Sequence, residues 1–580
     1  MLYRELVKVY KKIEETTKRL EMTSFLVDLI KKTPPDIIGR IVYLTQGKLY
    51  PDYEGIEIGM AEKMVIKALA KAAGISALQI DNDLKKTGDL GETARKFLNP
   101  SQKPPQVTEV FNILDQIAKT TGEGSVEKKI GLLSDLLSRA GGEEAKYIVR
   151  TVTGKLRLGI ADMTILDALA IVYGKGKESR EIIERAYNNT SDLGTVAETL
   201  AKKGLLGIKK LGIIPGKPLR AMLCERLADP AEILEKLGGR CAVEYKYDGE
   251  RIQAHKIGQE VVLFSRRLEN ITYQYPDIVE LVRGNLKADK AIIDAEVVAM
   301  NPETGEMRPF QDLMHRRRKY GIKEAMEEYP ITLFVFDILY IDGKDLTQTP
   351  YLKRKEILRQ VLKEGENIQL AKTEIVSDLE TLEKIFELSI EEGLEGLVCK
   401  SISPSSVYQA GSRGWLWIKY KRDYKSEMIE PVDLVVVGAF YGRGRRRATY
   451  GALLLACYDE EKDMFRTITK CGSGFTDQDL ALLPKKLKPY EIKHKHPRVD
   501  SQLKCDRWFT PTVVIEVIGA ELTLSPIHTT AWSRIKKDAG LAIRFPRFTG
   551  RWREEKSAED ATTVSELVEM YEAQLKKIKK

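Results

Sequence analysis

Lys246 lies in the string Glu244-Tyr245-Lys246-Tyr247-Asp248-Gly249-Glu250-Arg251. A lysine followed at fixed offsets by Asp-Gly and by Arg is an arrangement for attacking a nucleoside triphosphate. An amine attacks only when deprotonated, so such chemistry needs a lysine whose pKa is lowered by a metal ion or by cationic neighbours. The preceding Ala242-Val243-Glu244-Tyr245 reads as a short strand and Asp248-Gly249 as its turn, which puts Lys246 at a strand end beside a pocket. By itself the string fits an ordinary strand and turn with a solvated lysine equally well.

The companions of this string decide between the two. In chain order they are Ser265-Arg266-Arg267, Ile293-Asp294-Ala295-Glu296-Val297-Val298, Phe334-Val335-Phe336-Asp337-Ile338-Leu339 and Glu395-Gly396-Leu397-Val398-Cys399-Lys400. Then come Trp415-Leu416-Trp417-Ile418-Lys419-Tyr420-Lys421, Arg544-Phe545-Pro546-Arg547-Phe548 and Arg553-Glu554-Glu555-Lys556. Taken in this order they resemble the nucleotidyltransferase motifs of ATP-dependent DNA ligases, and the long N-terminal extension resembles that of archaeal replicative ligases. The resemblance covers nearly the whole chain.

Site roles follow from that resemblance. It implies that Lys246 attacks the α-phosphate of ATP to form a lysine-AMP, that AMP then moves to the 5′-phosphate of a nick, and that the 3′-hydroxyl expels it. Glu244 then lies beside the adenine edge and Phe336 on its face, with Arg251 and Glu296 at the sugar. Arg266, Arg413, Lys419 and Lys421 face phosphates. Glu296 and Glu395 hold Mg²⁺, with Mn²⁺ as the alternative metal and Asp294 as a weaker third ligand. Arg544, Arg547, Arg553 and Lys556 neutralise departing pyrophosphate. From the residues alone, Phe336 in Leu333-Phe334-Val335-Phe336 reads as core and the acids as solvated loop residues.

Two departures from the family pattern stand out. Glu555 occupies the place of an Asp, which keeps the acid. Gln102-Lys103 is followed by Pro104-Pro105 where related archaeal ligases carry paired aromatics, so a loop for binding a sliding clamp is not apparent. The nearest rival reading is an RNA ligase or an mRNA-capping guanylyltransferase of the same superfamily. A DNA-encircling scaffold that has lost the chemistry is a second. NAD⁺ as AMP donor is disfavoured by the lack of a four-cysteine zinc module.

The elements that must position these residues are legible in outline. From Met1 to about Lys210 the pattern is helical, as with Leu2, Leu6, Val9, Tyr10 and Ile13, and breaks at Lys31–Pro35 and Asn99–Pro105 separate the helices. Ile213 to Arg220, rich in Pro and Gly, reads as a linker. Irregular alternation of strand and helix up to Tyr424 suggests a mixed α+β domain. Short β runs at Leu434–Val437, Leu453–Ala456 and Val513–Val517 suit a small oligonucleotide-binding barrel, followed by a helix capped by Ser565. The expected division is residues 1–215, an all-α DNA-binding domain; 216–428, an α+β adenylation domain; and 429–580, a β-barrel OB-fold domain with a C-terminal helix.

At 580 residues the chain is too long for one core and suggests about three to four domains. Its net charge of +9 is unevenly spread: residues 1–217 carry 35 basic and 28 acidic side chains (+7), 218–425 carry 32 and 35 (−3), and the remainder 27 and 22 (+5). The Lys246 segment is therefore mildly acidic, as a metal site tolerates, and its flanks carry the excess charge that phosphate backbones attract. His315-Arg316-Arg317-Arg318-Lys319, Arg443-Gly444-Arg445-Arg446-Arg447 and the exposed-looking Lys155–Gly159 segment are candidate contacts to nicked double-stranded DNA. The six cysteines show no zinc spacing, and the five histidines are too scattered for a catalytic set. No apolar signal core or membrane-length run is present, and the expectation is a cytoplasmic monomer.

Overall fold

The computed structural model describes residues 1–578 apart from 100–102, 175, 301–306, 309, 317, 319, 392–393, 422–429, 443–448, 520, 526 and 545. The chain divides into two compact units. One comprises Met1–Glu225, Ile233–Asp378 and Val398–Ile418, the other Arg226–Glu232, Leu379–Leu397 and Lys419–Lys580.

In the first unit helices follow one another from Tyr3–Glu14 to Leu193–Lys209, the last kinked at Gly204, whose φ of 60° and ψ of −164° leave the helical region. Helix Tyr3–Glu14 buries Tyr3, Leu6, Val7, Tyr10 and Ile13, while Leu2 and Val9 are only partly covered. The stripe is thus rotated slightly from the one read in the sequence, because Tyr3 points inward. The helical core also contains an ion-pair network. Arg150 reaches Asp89 at 2.6 Å and Glu14 at 3.0 Å, and Lys146 joins Glu14 and Glu92, both at 2.8 Å. Burial would raise the Asp89 carboxyl, but the Arg150 guanidinium holds it below its ordinary value.

The Lys155–Gly159 segment is exposed at three of its five residues and buried at two. Leu156 and Leu158 are buried, and Arg157, at φ 58°, turns its side chain back to Asp89 at 3.2 Å. Lys155, Arg157 and Gly159 are exposed. The two leucines enter the helical core.

The Pro- and Gly-rich connector at 213–220 is held at several points. His255 Nδ1 accepts from the Gly216 N–H at 2.9 Å, and Gln253 Oε1 accepts from the Leu219 N–H at 2.8 Å. Ser191 Oγ donates to the Pro218 carbonyl at 2.7 Å, and the Arg220 N–H to the Asn188 carbonyl at 2.8 Å. Burial pushes His255 down to about 3, so its ring is neutral and its free nitrogen can serve as that acceptor.

Strands of the central region are β1 (Leu223–Arg226), β2 (Cys241–Lys246), β3 (Glu250–Ile257), β4 (Glu260–Ser265), β5 (Lys290–Ala299), β6 (Ile331–Ile341), β7 (Lys344–Asp345), β8 (Ile368–Leu370), β9 (Thr373–Val376), β10 (Gly396–Ser401) and β11 (Arg413–Lys421). They form one sheet in the order β1-β11-β10-β2-β9 and another in the order β4-β3-β5-β6-β7, with β8 beside β6. β5 and β6 are buried on both faces, and β5 sends Ala291, Ile293, Ala295, Val297 and Ala299 into the core while Asp294 and Glu296 share its other face.

The second unit is rich in strands and its sheets are curled. β12 (Val432–Tyr441), β13 (Tyr450–Asp459), β14 (Met464–Cys471), β15 (Glu491–Ile492), β16 (Val499–Asp500), β17 (Arg507–Phe509), β18 (Val514–Ile518) and β21 (Arg547–Trp552) share one sheet, and β19 (Glu521–Ser525) with β20 (Gly540–Arg544) makes a hairpin. Register shifts in β12 between Val436 and Gly438 bend it, so that β17 and β18 pair with successive stretches of one edge. Leu434, Val436 and Leu453 face one core and Val435, Val437 and Leu454 the other, which explains the continuous apolar runs. The closing helix, Val564–Ile578, is capped by Thr563 rather than Ser565: Glu566 Oε2 accepts from the Thr563 N–H at 2.7 Å and Thr563 Oγ1 from the Glu566 N–H at 3.2 Å.

Candidate active site

β2 ends at Lys246, and Glu244, two residues earlier, shares its strand face. The turn that follows is fixed residue by residue. Tyr247 is buried with its ring stacked on Phe334, centroids 4.1 Å apart, and Asp248 Oδ2 accepts from the Phe310 N–H at 3.2 Å. Gly249 lies so close to β5 that a Cβ there would sit 2.1 Å from the Val297 carbonyl oxygen and 3.0 Å from Glu296 Cγ. The Asp-Gly pair is thus required by packing as well as by turn chemistry, and it brings the turn against the strand that carries Glu296.

Glu244 is buried among donors. Its Oε1 accepts from Tyr351 at 2.6 Å, Lys355 at 2.8 Å and Thr373 at 3.2 Å, and its Oε2 is ion-paired with Lys400. Burial alone would raise this carboxyl, yet the two ammonium groups hold it at about 2. Burial also pushes Lys400 down, even with Glu244 beside it.

Arg251 of β3 is paired with Asp294 of β5 at 2.7 Å, and its guanidinium lies 5.3 Å from the centre of the Phe336 ring. Its burial works against the charge, but Asp294 outweighs that and keeps Arg251 above its ordinary value. Arg251 Nε is buried with no hydrogen-bond partner among the described residues. Phe336 of β6 meets Trp417 of β11 edge to face at 6.3 Å, and Lys400 lies over both rings, at 4.9 and 4.2 Å. Glu244 and Lys246 on β2 of one sheet, with Arg251, Glu296 and Phe336 on the adjacent strands β3, β5 and β6 of the other, thus supply an anion, an aromatic face and cations.

Other candidates are placed differently. Asp294 is nearly inaccessible and is taken by Arg251 and by Tyr408, each at 2.7 Å. Arg266 is exposed on the turn after β4, where Leu268 adopts φ 68° and Ser265 Oγ accepts from the Arg267 N–H at 3.2 Å. Arg413 is exposed at the start of β11, and Lys419 is partly buried near its end. Glu395 and Lys421, assigned to metal and to phosphate, are ion-paired with each other. Gly396 between them in sequence has φ 130°, and a Cβ there would lie 2.3 Å from the Tyr420 carbonyl.

In the second unit Arg544 ends β20 and Arg547 is exposed on β21. Arg553 and Lys556 both reach Asp433, at 2.9 and 2.7 Å. The basic clusters fare unequally. Arg316 is fully buried, paired with Asp277 at 2.7 Å and donating to the Tyr329 carbonyl at 3.0 Å, so it is a core residue rather than a phosphate contact. The run 443–447, residues 317 and 319, and Gln102 of the clamp-loop position lie outside the described residues.

Comparison with known proteins gives the same direction along the whole chain. Residues 2–170 match the DNA ligase N terminus family, 221–421 the ATP dependent DNA ligase domain, and 446–556 the ATP dependent DNA ligase C terminal region. DNA ligase 2 of Thermofilum pendens is 55% identical, covering 99% of this chain and 98% of its own length. The chain belongs to the ATP-dependent DNA ligases. The probable DNA ligase of Aquifex aeolicus is 52% identical over 99% of each chain, and the DNA ligase of Staphylothermus marinus 51% over 100% of each. A solved chain named Pmar-Lig_Pre. shares the fold at a TM-score of 0.56 and 18% identity, covering 94% of this chain and 99% of that one. The ligase uses ATP and a divalent metal and acts on nicked DNA, as its family does.

Sequence reading assigned no role to Lys355, Lys400, Trp417 or Tyr408. Lys400 had a signal, a lysine closing the apolar run Leu397-Val398-Cys399. Lys355 had none, since Lys353 and Arg354 beside it look the same in sequence and only the helix register turns one of them toward Glu244.

Proposed function

We propose that Lys246 is the nucleophile of the first step, in a nucleotide site built from Glu244, Arg251, Glu296 and Phe336. The observation that carries this reading is the placement of Lys246 at the end of β2, on the same strand face as a carboxylate that Lys355 and Lys400 hold ionised. Phe336 is partly buried beside Arg251, Lys400 and Trp417, and is the aromatic assigned to stack on the base. The unpartnered Nε of Arg251 suits a donor to the ribose. Lys246 Nζ bonds to the α-phosphorus with loss of its proton, and pyrophosphate leaves toward Arg544, Arg547, Arg553 and Lys556. Arg266, Arg413, Lys419 and Lys421 meet phosphates of the nucleotide or of the nick in turn.

Mg²⁺, or Mn²⁺ in its place, belongs to the same proposal. Among the described residues no three acidic, His or Cys side chains gather as a metal cage, and Asp294 is committed to Arg251 and Tyr408. Glu296 and Glu395, the latter here ion-paired with Lys421, are the carboxylates that would hold the ion. When bound, the ion supplies charge neutralisation at the phosphates.

The helical region is assigned to the grip on duplex DNA, the strand-rich region to closing on it, and the working state to a cytoplasmic monomer. A sliding clamp remains a partner to test. Incubation with labelled ATP, ADP, GTP and NAD⁺ tests the donor, and nicked DNA against nicked RNA tests the substrate. Lys246→Ala and Lys246→Arg are expected to abolish the protein-AMP adduct, since guanidinium stays protonated. Lys246→Ala is expected still to seal nicks adenylated beforehand. A normal adduct in Lys246→Ala would overturn the assignment.

A further inference from the structure

Asp433 of β12 and Glu516 of β18 are directly opposite each other in an antiparallel pair, exposed by only 8% and 6%. Like charges at such positions destabilise a sheet, and withdrawal from water strengthens the repulsion. A pair of this kind is tolerated where cations are built in, and here they are. Arg553 Nη1 lies 2.9 Å from Asp433 and 3.4 Å from Glu516, and Lys556 Nζ lies 2.7 Å from the other oxygen of Asp433. Thr549 Oγ1 donates to Glu516 Oε1 at 2.8 Å, and Arg551 approaches Glu516 at 3.6 Å.

The backbone is fixed as well. The Asp433 N–H donates to Thr562 Oγ1 at 3.0 Å, its carbonyl accepts from the Thr562 N–H at 2.9 Å, and the Arg553 N–H donates to the Val514 carbonyl at 2.9 Å. The cations nevertheless keep donors in hand. Arg553 Nη2 makes no hydrogen bond among the described residues, and Lys556 Nζ makes one. Both line a cavity of about 550 Å³ together with Lys486, Trp552 and Ser557.

We propose that Asp433 and Glu516 are positioning residues for the first step, a carboxylate cradle that presets Arg553 and Lys556 as a two-cation clamp for the diphosphate leaving group. The proposal rests on the pyrophosphate role given above to those two cations. Arg and Lys lose the most side-chain entropy when ordered, so holding them before the ligand arrives removes that loss from the reaction. The buried acids also oppose any swing of a single side chain, because it would take from Asp433 one of the two cations that balance it against Glu516. The two cations are therefore delivered together, as one fixed pair.

The test is Asp433→Asn, which keeps the shape and removes the charge, with Glu516→Gln as a second variant and Arg553→Ala measured alongside. Three rates are read on the full chain: protein-AMP formation from ATP, its reversal by added pyrophosphate, and sealing of a pre-adenylated nick. Asp433→Asn is expected to slow formation and reversal alike by about tenfold, as misplacing a positioned group does, with a raised KM for pyrophosphate and little change in sealing. Glu516→Gln is expected to act in the same direction but less, since its contact with Arg553 is longer. Equal losses in all three rates would mean a purely structural role and would overturn the proposal. So would unchanged formation and reversal in both variants when Arg553→Ala is impaired. If Arg553→Ala itself leaves adenylation intact, the pyrophosphate reading fails first and the cradle with it.

Discussion

Replacing Glu244 with Gln removes one negative charge from a buried site that holds Lys355 and Lys400, each within a few per cent of full burial. Two estimates of the consequence agree. A carboxyl held at about 2 instead of 4.5 corresponds to roughly 3 kcal/mol of preference for its anion in the folded state. Removing one partner of a buried pair costs ~3–5 kcal/mol, since the other charge stays behind. The damage is local to β2 and β10, so the assay is hydrogen exchange of peptides spanning 241–246 and 396–401, where roughly 3 kcal/mol means about 100-fold faster exchange through local opening. The sign with pH follows from the depressed value: the contribution is complete above about 4.5 and is lost as the pH falls through about 2. Glu244→Gln should lack that acid dependence while also losing protein-AMP formation. Exchange changed by less than about threefold would refute the reasoning, because neither the pair nor the shift could then have the magnitude used.

Gly249→Ala is expected to lower adduct formation by at least about tenfold, since its Cβ would meet the Val297 carbonyl at 2.1 Å and must displace the turn beside Lys246; normal single-turnover adenylation would contradict this. Asp294→Asn should weaken ATP binding through Arg251, its partner at 2.7 Å, more than it alters the metal optimum, and titration of Mg²⁺ at saturating ATP separates the two. Removing residues 1–210 should spare self-adenylation and weaken binding to nicked DNA. The binding constant of the full chain should fall steeply with salt, and equal affinities of the truncated and full chains across several salt concentrations would count against the DNA grip.

The sequence by itself determined the order of the parts and the identity of the nucleophile candidate. Helical periodicity, apolar strand runs and the spacing around Lys246 are local, and local patterns fix local elements. It could not say which charges meet. Arg316 looked like part of a basic DNA-contacting cluster and is a core residue on Asp277, and the open-looking Lys155–Gly159 segment keeps Lys155, Arg157 and Gly159 exposed while its two leucines enter a helical core. For Arg316 and the two leucines, tertiary burial overrides what composition suggests about exposure. Lys355 and Lys400 are 111 and 156 residues from Glu244 by their numbers, and Asp433 is 120 from Arg553. Electrostatic partnership acts through space and depends on burial, so the site's charge balance became visible only once the strands were paired and the helices packed.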